Sequence, residues 1–180
     1  MSAVVSMLRG INVGGHRIIK MDALRSLYES LGLTNPKTYV QSGNVVFETK
    51  ERNFGVLGRK IEDAIEKAYG FRPAVILRNA AELHAVIDAK PFAKRNDIEP
   101  GKLHVFFLGG DLTVEARAIL AKIKADPEEL IAGKRELYIY FPNGAGRTKL
   151  PLAKIEKLIQ VPMTARNWNT VEKLLEMALR

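Results

Sequence analysis

Cysteine is absent from this chain of 180 residues, and histidine and tryptophan are scarce, with three copies and one copy. Without cysteine there is no disulfide, no thiolate nucleophile and no cysteine-ligated zinc. The histidines at positions 16, 84 and 104 show neither HxxxH nor HExxH spacing, the patterns typical of zinc sites on helices. The sequence therefore predicts no metal site and identifies no cofactor. The lack of cysteine suits a reducing, cytoplasmic compartment.

Long apolar runs are also missing. Uncharged runs reach only about ten residues, whereas a membrane-spanning helix needs about twenty. The apolar stretch Met1–Leu8 is short, is followed at once by Arg9 and lacks a cleavage site, so it is not typical of a signal peptide. We therefore expect no membrane partner.

Acidic residues are outnumbered: 28 lysines and arginines face 20 aspartates and glutamates, a net charge of +8. Residues 1–90 carry 13 basic and 9 acidic side chains, and residues 91–180 carry 15 and 11. An even excess indicates a basic folded body rather than a basic tail. Such a body attracts an anionic ligand or nucleic acid. Solubility alone explains the charge equally well.

Apolar periodicity in the first half predicts the order β-α-β-β-α-β. We expect strands at 3–8 and 72–78, a two-stranded hairpin at 38–48, and helices at 21–33 and 56–69. Gly32 and Gly70 are suited to stop the two helices. A short linking helix at 80–89 and a polar loop at 90–101 follow.

The second half repeats this order, with strands at 103–108, 129–132, 136–141 and 161–165 and helices at 113–124, 151–159 and 167–179. Thr113 is a plausible N-cap. The predicted fold is α+β, with two tandem ferredoxin-like (βαββαβ) units, a linking helix and a C-terminal helix. The predicted domains are residues 1–89 and 90–180. A single mixed sheet drawn from both halves is the alternative.

Four polar segments are candidates for ligand binding, and the first is Arg9–Arg17. Its glycines allow main-chain N–H groups to point toward an anion, and the helix N-terminus that follows favours anions as well. The segment matches neither GxxxxGK[ST] nor GxGxxG. The candidate ligand-binding residues in and beside it are Arg9, Asn12, Gly14, Gly15 and Lys20, with Arg17 adding charge. A tight, packed loop is the alternative.

The second segment is the hairpin tip Gln41–Asn44, which has more polar side chains than a turn requires. Gln41 and Asn44 are its candidates for ligand contact. We expect this tip and the loop after the first strand to lie at opposite ends of their sheet, which weakens the idea of one composite site.

The third segment, Asn143–Lys149, places glycines, Arg147 and a hydroxyl before a helix, which suits a phosphate. Simple capping is the alternative. The fourth, Thr164–Thr170, contributes Arg166, Asn167, Asn169 and Thr170. One helix cap needs only one of these residues, and Trp168 is expected to pack in the interior.

The sequence gives little support for a serine nucleophile, for catalytic carboxylates or for RNA binding by a sheet face. There is no GxSxG motif, and Asp126, Glu128 and Glu129 are expected at the surface. Aromatic residues in the predicted strands, Phe106, Tyr138 and Tyr140, favour core packing over an RNA-binding sheet face.

Four stretches, LRGINVGG, KMDALRSLYESLGL, TYVQSGNVVF and TARNWNTVEKLL, occur in this order, and through them the chain resembles the DUF1697 family over almost its whole length. The resemblance implies an α/β protein with ferredoxin-like halves, of the small, cytoplasmic and mostly bacterial kind. The family is of unknown function, so the resemblance assigns no catalytic residue.

Three functional hypotheses remain open. The first is a protein that binds a phosphate-bearing ligand or nucleic acid. The second is an enzyme, a transferase or hydrolase, acting on a small anionic substrate, although no general base is evident. The third is an interaction protein whose polar motifs are structural joints.

Overall fold

The structure, a computed structural model, describes residues 1–180. It is an α+β protein with two four-stranded antiparallel sheets and six α-helices. Two compact units form the chain: unit 1 comprises Met1–Ala85 and Lys173–Arg180, and unit 2 comprises Val86–Glu172. The division into domains 1–89 and 90–180 stays a prediction, and it differs from these units chiefly in the placement of the C-terminal residues.

The sheet of unit 1 has the strand order β2-β3-β1-β4. Its strands are β1 (Ser2–Leu8), β2 (Thr34–Tyr39), β3 (Asn44–Thr49) and β4 (Val75–Asn79). The helices that accompany them are α1 (Met21–Ser30) and α2 (Phe54–Tyr69), and α3 (Ala80–Asp88) follows β4 directly.

The sheet of unit 2 has the order β6-β7-β5-β8. Its strands are β5 (Leu103–Leu108), β6 (Glu129–Ala132), β7 (Glu136–Tyr140) and β8 (Met163–Asn167). Its helices are α4 (Val114–Ala121) and α5 (Leu152–Ile159), and α6 (Trp168–Leu179) closes the chain. The strands expected at 103–108 and 129–132 are confirmed, and the alternative of a single mixed sheet is wrong.

Strand β1 is buried on both faces. Val4 and Leu8 belong to the core formed with α1 and α2, while Val5 and Met7, which point the other way, are fully buried as well. Ser6 is the polar exception, and its hydroxyl lies 2.7 Å from the Tyr28 hydroxyl of α1. Both hydroxyls are buried and each has a hydrogen-bonding partner, so this bond holds α1 against the sheet.

Helix boundaries follow from local capping. The Asn53 side chain accepts a hydrogen bond from the Val56 amide at the start of α2, and Gly70 ends that helix with φ of 77°. The expected cap at Thr113 is confirmed, because its hydroxyl accepts from the Ala116 amide at 3.0 Å. Such caps satisfy N–H groups that have no partner within the helix.

Several strand limits differ from expectation: strand β4, for example, begins at Val75 rather than at 72. Strand β2 begins at Thr34, earlier than the expected hairpin start at 38, and contains Pro36. Proline is tolerated there because β2 is an edge strand, and the register of its pairing shifts between Thr34 and Lys37. Strand β8 ends at Asn167 rather than 165, so Arg166 lies in the sheet and not at the entrance of the last helix.

Glu128 corrects the expectation that the acidic residues near 126–129 are all at the surface. It is buried, and its carboxylate accepts a hydrogen bond from the Thr148 hydroxyl at 2.8 Å. The hydroxyl in turn accepts from the Leu150 amide. This hydrogen bond joins two loops whose residues are 20 positions apart in the sequence, and it gives the buried carboxylate a polar partner.

Candidate functional site

The connection between β1 and α1, residues 9–20, is called the basic loop here. Its centre is a small hairpin: the His16 amide donates to the Val13 oxygen at 3.0 Å, and the Asn12 amide donates to the Arg17 oxygen at 3.1 Å. Gly14 and Gly15 between them have φ of 57° and 76°. Positive φ at both central residues is the requirement of the tight turns that join short strands, so these glycines are needed for the turn itself.

The side chain of Asn12 holds the basic loop in this shape. Its amide nitrogen donates to the Ile19 oxygen at 3.0 Å and to the Gln41 oxygen at 2.8 Å, and its oxygen accepts from the Ile19 amide at 2.8 Å. One side chain therefore joins both ends of the basic loop to the tip of the β2–β3 hairpin. Asn12 was expected to contact a ligand, but its hydrogen-bonding groups are used within the protein.

The expectation that the basic loop and the hairpin tip lie at opposite ends of the sheet is wrong. Met7 pairs with Asn44 in the antiparallel register of β1 and β3, and the Leu8 amide donates to the Gly43 oxygen at 2.9 Å. Because β3 runs antiparallel to β1, the start of β3 lies beside the end of β1. The two segments therefore share one edge of the sheet in unit 1.

Within the hairpin tip, Asn44 is a structural residue. It is fully buried, and its amide nitrogen donates to the Tyr39 oxygen and to the Ser42 hydroxyl, both at 3.0 Å. Gln41 is exposed, and only its main-chain oxygen bonds to the basic loop. Ligand contact by these two side chains stays a prediction, and the geometry favours Gln41.

The charged residues of the basic loop are all basic: Arg9, Arg17 and Lys20, beside His16, with no aspartate or glutamate. All four side chains are exposed. The Arg17 guanidinium lies over the Phe71 ring at 5.4 Å, and the Lys20 side chain makes no hydrogen bond or ion pair. An exposed group of cations without acidic residues in the same loop attracts anions.

Elsewhere in the protein, several arginines at or near the surface are paired with carboxylates. Arg25 bonds to Asp22, Arg72 bonds to Glu62 at 3.1 Å, and Arg95 bonds to Asp97. Pairing raises the pKa of Arg72, chiefly through its hydrogen bond to Asp63. The basic loop differs from these segments in its sequence, because residues 9–20 contain no aspartate or glutamate.

Unit 2 shows that the fold does not require such a loop. At the same position in its strand order, β5 is joined to α4 by Gly109–Thr113. This connection has 5 residues, whereas the basic loop has 12. Part of the additional length serves the core, because Ile11 and Ile19 of the basic loop are buried there, while the residues between them form the exposed turn.

Three aliphatic residues at this edge of unit 1 are exposed: Val13, Ile18 and Val40, at 64%, 56% and 51%. Val40 also has φ of 50°, which is rare for a β-branched residue. Sequence reasoning missed these residues because isolated valines and isoleucines in predicted loops carry no motif.

The third segment gives weaker support for an anion site. Arg147 is exposed at the end of a short 3-10 helix, Ala145–Arg147, and its side chain makes no hydrogen bond or ion pair. The nearby Thr148 hydroxyl, however, is bonded to the buried Glu128 carboxylate. A carboxylate close to the segment disfavours a bound phosphate.

In the fourth segment, Arg166 is buried in β8, and its Nη1 donates to the Thr164 hydroxyl and to the Ala165 oxygen, both at 2.8 Å. Burial lowers its pKa to about 10. Asn167 caps α6 by accepting from the Thr170 amide at 2.9 Å. These contacts give Arg166, Asn167 and the main chain of Thr170 structural roles, and they leave Asn169 exposed.

Trp168 was expected to pack in the interior. It is only partly buried, and its indole N–H donates to the Glu172 carboxylate at 3.0 Å. The bond spans one turn of α6 and holds the indole along the surface of this helix, so the ring is not enclosed in the core.

The same arginine and asparagine arrangement occurs in unit 1. Arg78 is buried, and its Nη1 donates to the oxygen of the preceding residue, Leu77, at 2.8 Å. Asn79 accepts from the Glu82 amide at 2.8 Å at the start of α3, and the Glu82 carboxylate accepts from the Asn79 amide.

The two arginines occupy matching positions: Arg78 pairs with Val5 across β1 and β4, and Arg166 pairs with Val105 across β5 and β8. The repeat LRNA and ARNW was visible in the sequence but is too short to stand out. Its double occurrence marks a structural joint between a strand and the helix after it.

His104 has a packing role. Its ring lies edge-on to Phe141 at 5.3 Å, and its buried Nδ1 makes no hydrogen bond. Burial lowers the pKa of this imidazole, which keeps it neutral at pH 7.

Two cavities open at the other end of the unit 1 sheet, with volumes of about 940 and 390 Å³, and both are lined by Met1, Thr49, Lys50 and Glu51. None of the expected ligand-binding residues lines either cavity. No group of three or more histidine, aspartate or glutamate side chains could hold a metal ion. None of the helices combines the length and apolar character needed to cross a membrane.

Comparison with known proteins gives a family and a fold. A family model described as "Protein of unknown function (DUF1697)" matches residues 1–138. The structure resembles that of a conserved bacterial protein from Streptococcus pneumoniae, with a TM-score of 0.76 and 24% sequence identity over 98% of both chains. At this identity the likeness shows the fold alone. The chain matches no curated protein.

Proposed function

Because the chain belongs to the DUF1697 family, proteins of unknown function, its activity has to be argued from its own residues, and we propose that it binds a phosphate-bearing ligand through the basic loop. The observation that carries this proposal is the charge of the loop. Arg9, Arg17 and Lys20 are exposed, with no acidic residue among them.

Rigidity supports the proposal further. The Asn12 side chain ties the basic loop at Ile19 and at Gln41, and Arg17 lies over the Phe71 ring. A loop already held in one shape loses less conformational entropy on binding than a mobile one. The main-chain N–H groups of Gly14 and Gly15 stand at the exposed turn, where a phosphate oxygen could accept hydrogen bonds from them.

Each unit is proposed to be ferredoxin-like, because both strand orders follow the same pattern. A cytoplasmic location is proposed from the absence of cysteine. Arg78 and Asn79 make the same kinds of contact as Arg166 and Asn167. This repeat favours a structural role for Arg166 and Asn167, as the hypothesis of an interaction protein expects. The enzyme alternative stays a prediction.

The test is a nuclear magnetic resonance titration of the full chain with inorganic phosphate, a nucleoside triphosphate and a short single-stranded RNA. We expect saturable shifts of the Gly14 and Gly15 amides with at least one of these probes. The double variant Arg17→Ala/Lys20→Ala should abolish the shifts, because it removes the exposed cations beside the turn.

The matched control is Arg59→Ala/Lys67→Ala, which removes the same charge from exposed positions on α2. It should leave binding intact. If the control weakens binding as much as the loop variant, or if no probe shifts the loop amides, the proposed function is wrong.

A further inference from the structure

The basic loop carries apolar side chains as well as cations, and general charge attraction does not account for them. Val13, Ile18 and Val40 are more than half exposed. Scattered apolar residues are normal on protein surfaces, but these three occur at one edge of the unit 1 sheet. Their common location is fixed by hydrogen bonds.

Asn12 brings the three positions together. Its side chain bonds to the main chain of Ile19, the neighbour of Ile18, and to the main chain of Gln41, the neighbour of Val40. Val13 follows Asn12 directly. Each exposed aliphatic residue is therefore one position away from Asn12 or from a residue that Asn12 holds, and we call Val13, Ile18 and Val40 the aliphatic group.

Val40 shows that the aliphatic group is not merely tolerated. With φ of 50°, its backbone has a left-handed conformation that glycine and asparagine adopt far more readily than a β-branched residue. Its side chain also gains little from burial, because about half of it is exposed. Neither the backbone nor the core explains a valine here, which indicates that its side chain serves a contact outside the fold.

The cations alternate with these apolar side chains. Arg17 precedes Ile18, and Lys20 follows two positions later. Nucleotides present the same alternation, because each base has an apolar face and is joined through its sugar to a phosphate. Loops that enter lipid membranes are typically rich in tryptophan, phenylalanine and leucine, and the basic loop and hairpin tip contain none of these.

Resting on the proposed function, we propose that the phosphate-bearing ligand is a single-stranded nucleic acid whose bases pack on the aliphatic group while Arg17 and Lys20 contact its phosphates. Contacts of aliphatic side chains with base faces do not depend strongly on sequence, so the protein would bind strands of varied sequence. The phosphate contacts would make binding weaken steeply as salt increases.

The experiment compares two probes of equal charge by fluorescence anisotropy: a labelled single-stranded RNA of ten nucleotides and an abasic strand of the same length. We expect the full chain to bind the RNA about tenfold more tightly than the abasic strand. Val40→Asn should reduce RNA binding to nearly the abasic level and leave binding of the abasic strand unchanged.

Val40→Asn is informative because asparagine suits the backbone at this position, so the variant should keep or raise the melting temperature. Val13→Ser and Ile18→Ser should act in the same direction. The matched control is Val114→Ser, which replaces a valine that is 81% exposed on α4 and should leave both affinities unchanged.

Three outcomes would overturn the inference. Equal affinity for RNA and the abasic strand would leave the proposed function standing but remove the role of the bases. Binding of vesicles containing phosphatidylserine, lost in Val40→Asn while RNA does not bind, would assign the aliphatic group to a lipid surface. Absence of binding to both strands, while inorganic phosphate or a nucleoside triphosphate still shifts the Gly14 and Gly15 amides, would exclude the nucleic acid and leave the proposed function standing.

Discussion

The side-chain amide of Asn12 donates to the main-chain oxygen of Gln41 at 2.8 Å, and this bond makes one surface out of two segments that are 29 residues apart. Neither segment has its conformation by local propensity alone. Asn12 itself has φ of 54°, a left-handed conformation that asparagine accepts. The shape of the basic loop therefore depends on one side chain that faces the protein rather than the solvent.

Replacement of this side chain is the first prediction. Asn12→Ala should lower the free energy of unfolding by about 1–3 kcal/mol, because the oxygen of Gln41 and both main-chain groups of Ile19 lose their partner. Urea denaturation measures the loss, and hydrogen exchange should show faster exchange of the Ile19 amide. Asn96→Ala, at an exposed position, is the control and should change neither. Unchanged exchange at Ile19 in Asn12→Ala would contradict the bracing role.

Two glycines with similar positive φ, Gly43 and Gly70, allow the effect of backbone strain to be measured separately from that of steric overlap. Gly43 has φ of 87°, and a Cβ there would lie 2.8 Å from the side chains of Ile11 and Leu8. Gly70 has φ of 77°, and a Cβ there would meet nothing within 4 Å. Gly70→Ala should destabilise the protein by about 1 kcal/mol through the backbone alone.

Gly43→Ala should cost more than Gly70→Ala by about 1–3 kcal/mol, because the added methyl overpacks the core beneath the hairpin tip. Thermal and urea denaturation of the two variants side by side give the difference. Equal losses would show that the hairpin tip moves aside and that Gly43 is needed only for its backbone.

Much of the fold was predictable because its elements have clear periodicity. Strand β5 is the short, almost wholly buried apolar run LHVFFL and is followed directly by Gly109, so its limits were predicted correctly. Strand β2 was placed too late, since Pro36 interrupts the strand pattern. Its pairing with β3 was predicted as a hairpin, but the register shift between Thr34 and Lys37, which extends the strand past the proline, was not.

The candidate site was only partly predictable for a related reason. The basic loop was recognised by its glycines and arginines, but the role of Asn12 was not. In the sequence, an asparagine that bonds to the main chain cannot be distinguished from one that binds a ligand. Arg166 was misplaced at a helix entrance, although its buried position in β8 became interpretable once Arg78 was seen at the matching position.

The repeated arginines give a prediction for both units. Arg78→Met and Arg166→Met should each destabilise the protein by about 1–3 kcal/mol, because the oxygens of Leu77 and Ala165 lose a buried donor. Urea denaturation measures both losses, and Arg59→Met on the exposed face of α2 is the control. If Arg166→Met is as stable as the parent but loses binding of the RNA probe, the arginine serves the ligand and the structural interpretation is wrong.

The buried phenol of Tyr28 predicts how stability changes in alkali. Burial raises the pKa of Tyr28, and its hydrogen bond with Ser6 offsets only part of this effect. An unfolded tyrosine ionises near pH 10, so above that pH the unfolded chain has released a proton that the folded protein still holds. Stability should therefore fall as the pH rises from about 9 to 11. Tyr138, whose pKa burial also raises, contributes in the same direction.

Arg166 opposes this trend, because burial lowers its pKa to about 10 and an unfolded arginine binds its proton more strongly. The variant Tyr28→Phe isolates the tyrosine from this opposing effect. It should make the free energy of unfolding less dependent on pH between 9 and 11, at the cost of about 1 kcal/mol at pH 7 from the lost bond to Ser6. Tyr39→Phe, at a half-exposed position in β2, should leave the pH dependence as it is. An equal flattening in both variants, measured by urea denaturation at each pH, would show that the buried phenol is not the source of the alkaline loss.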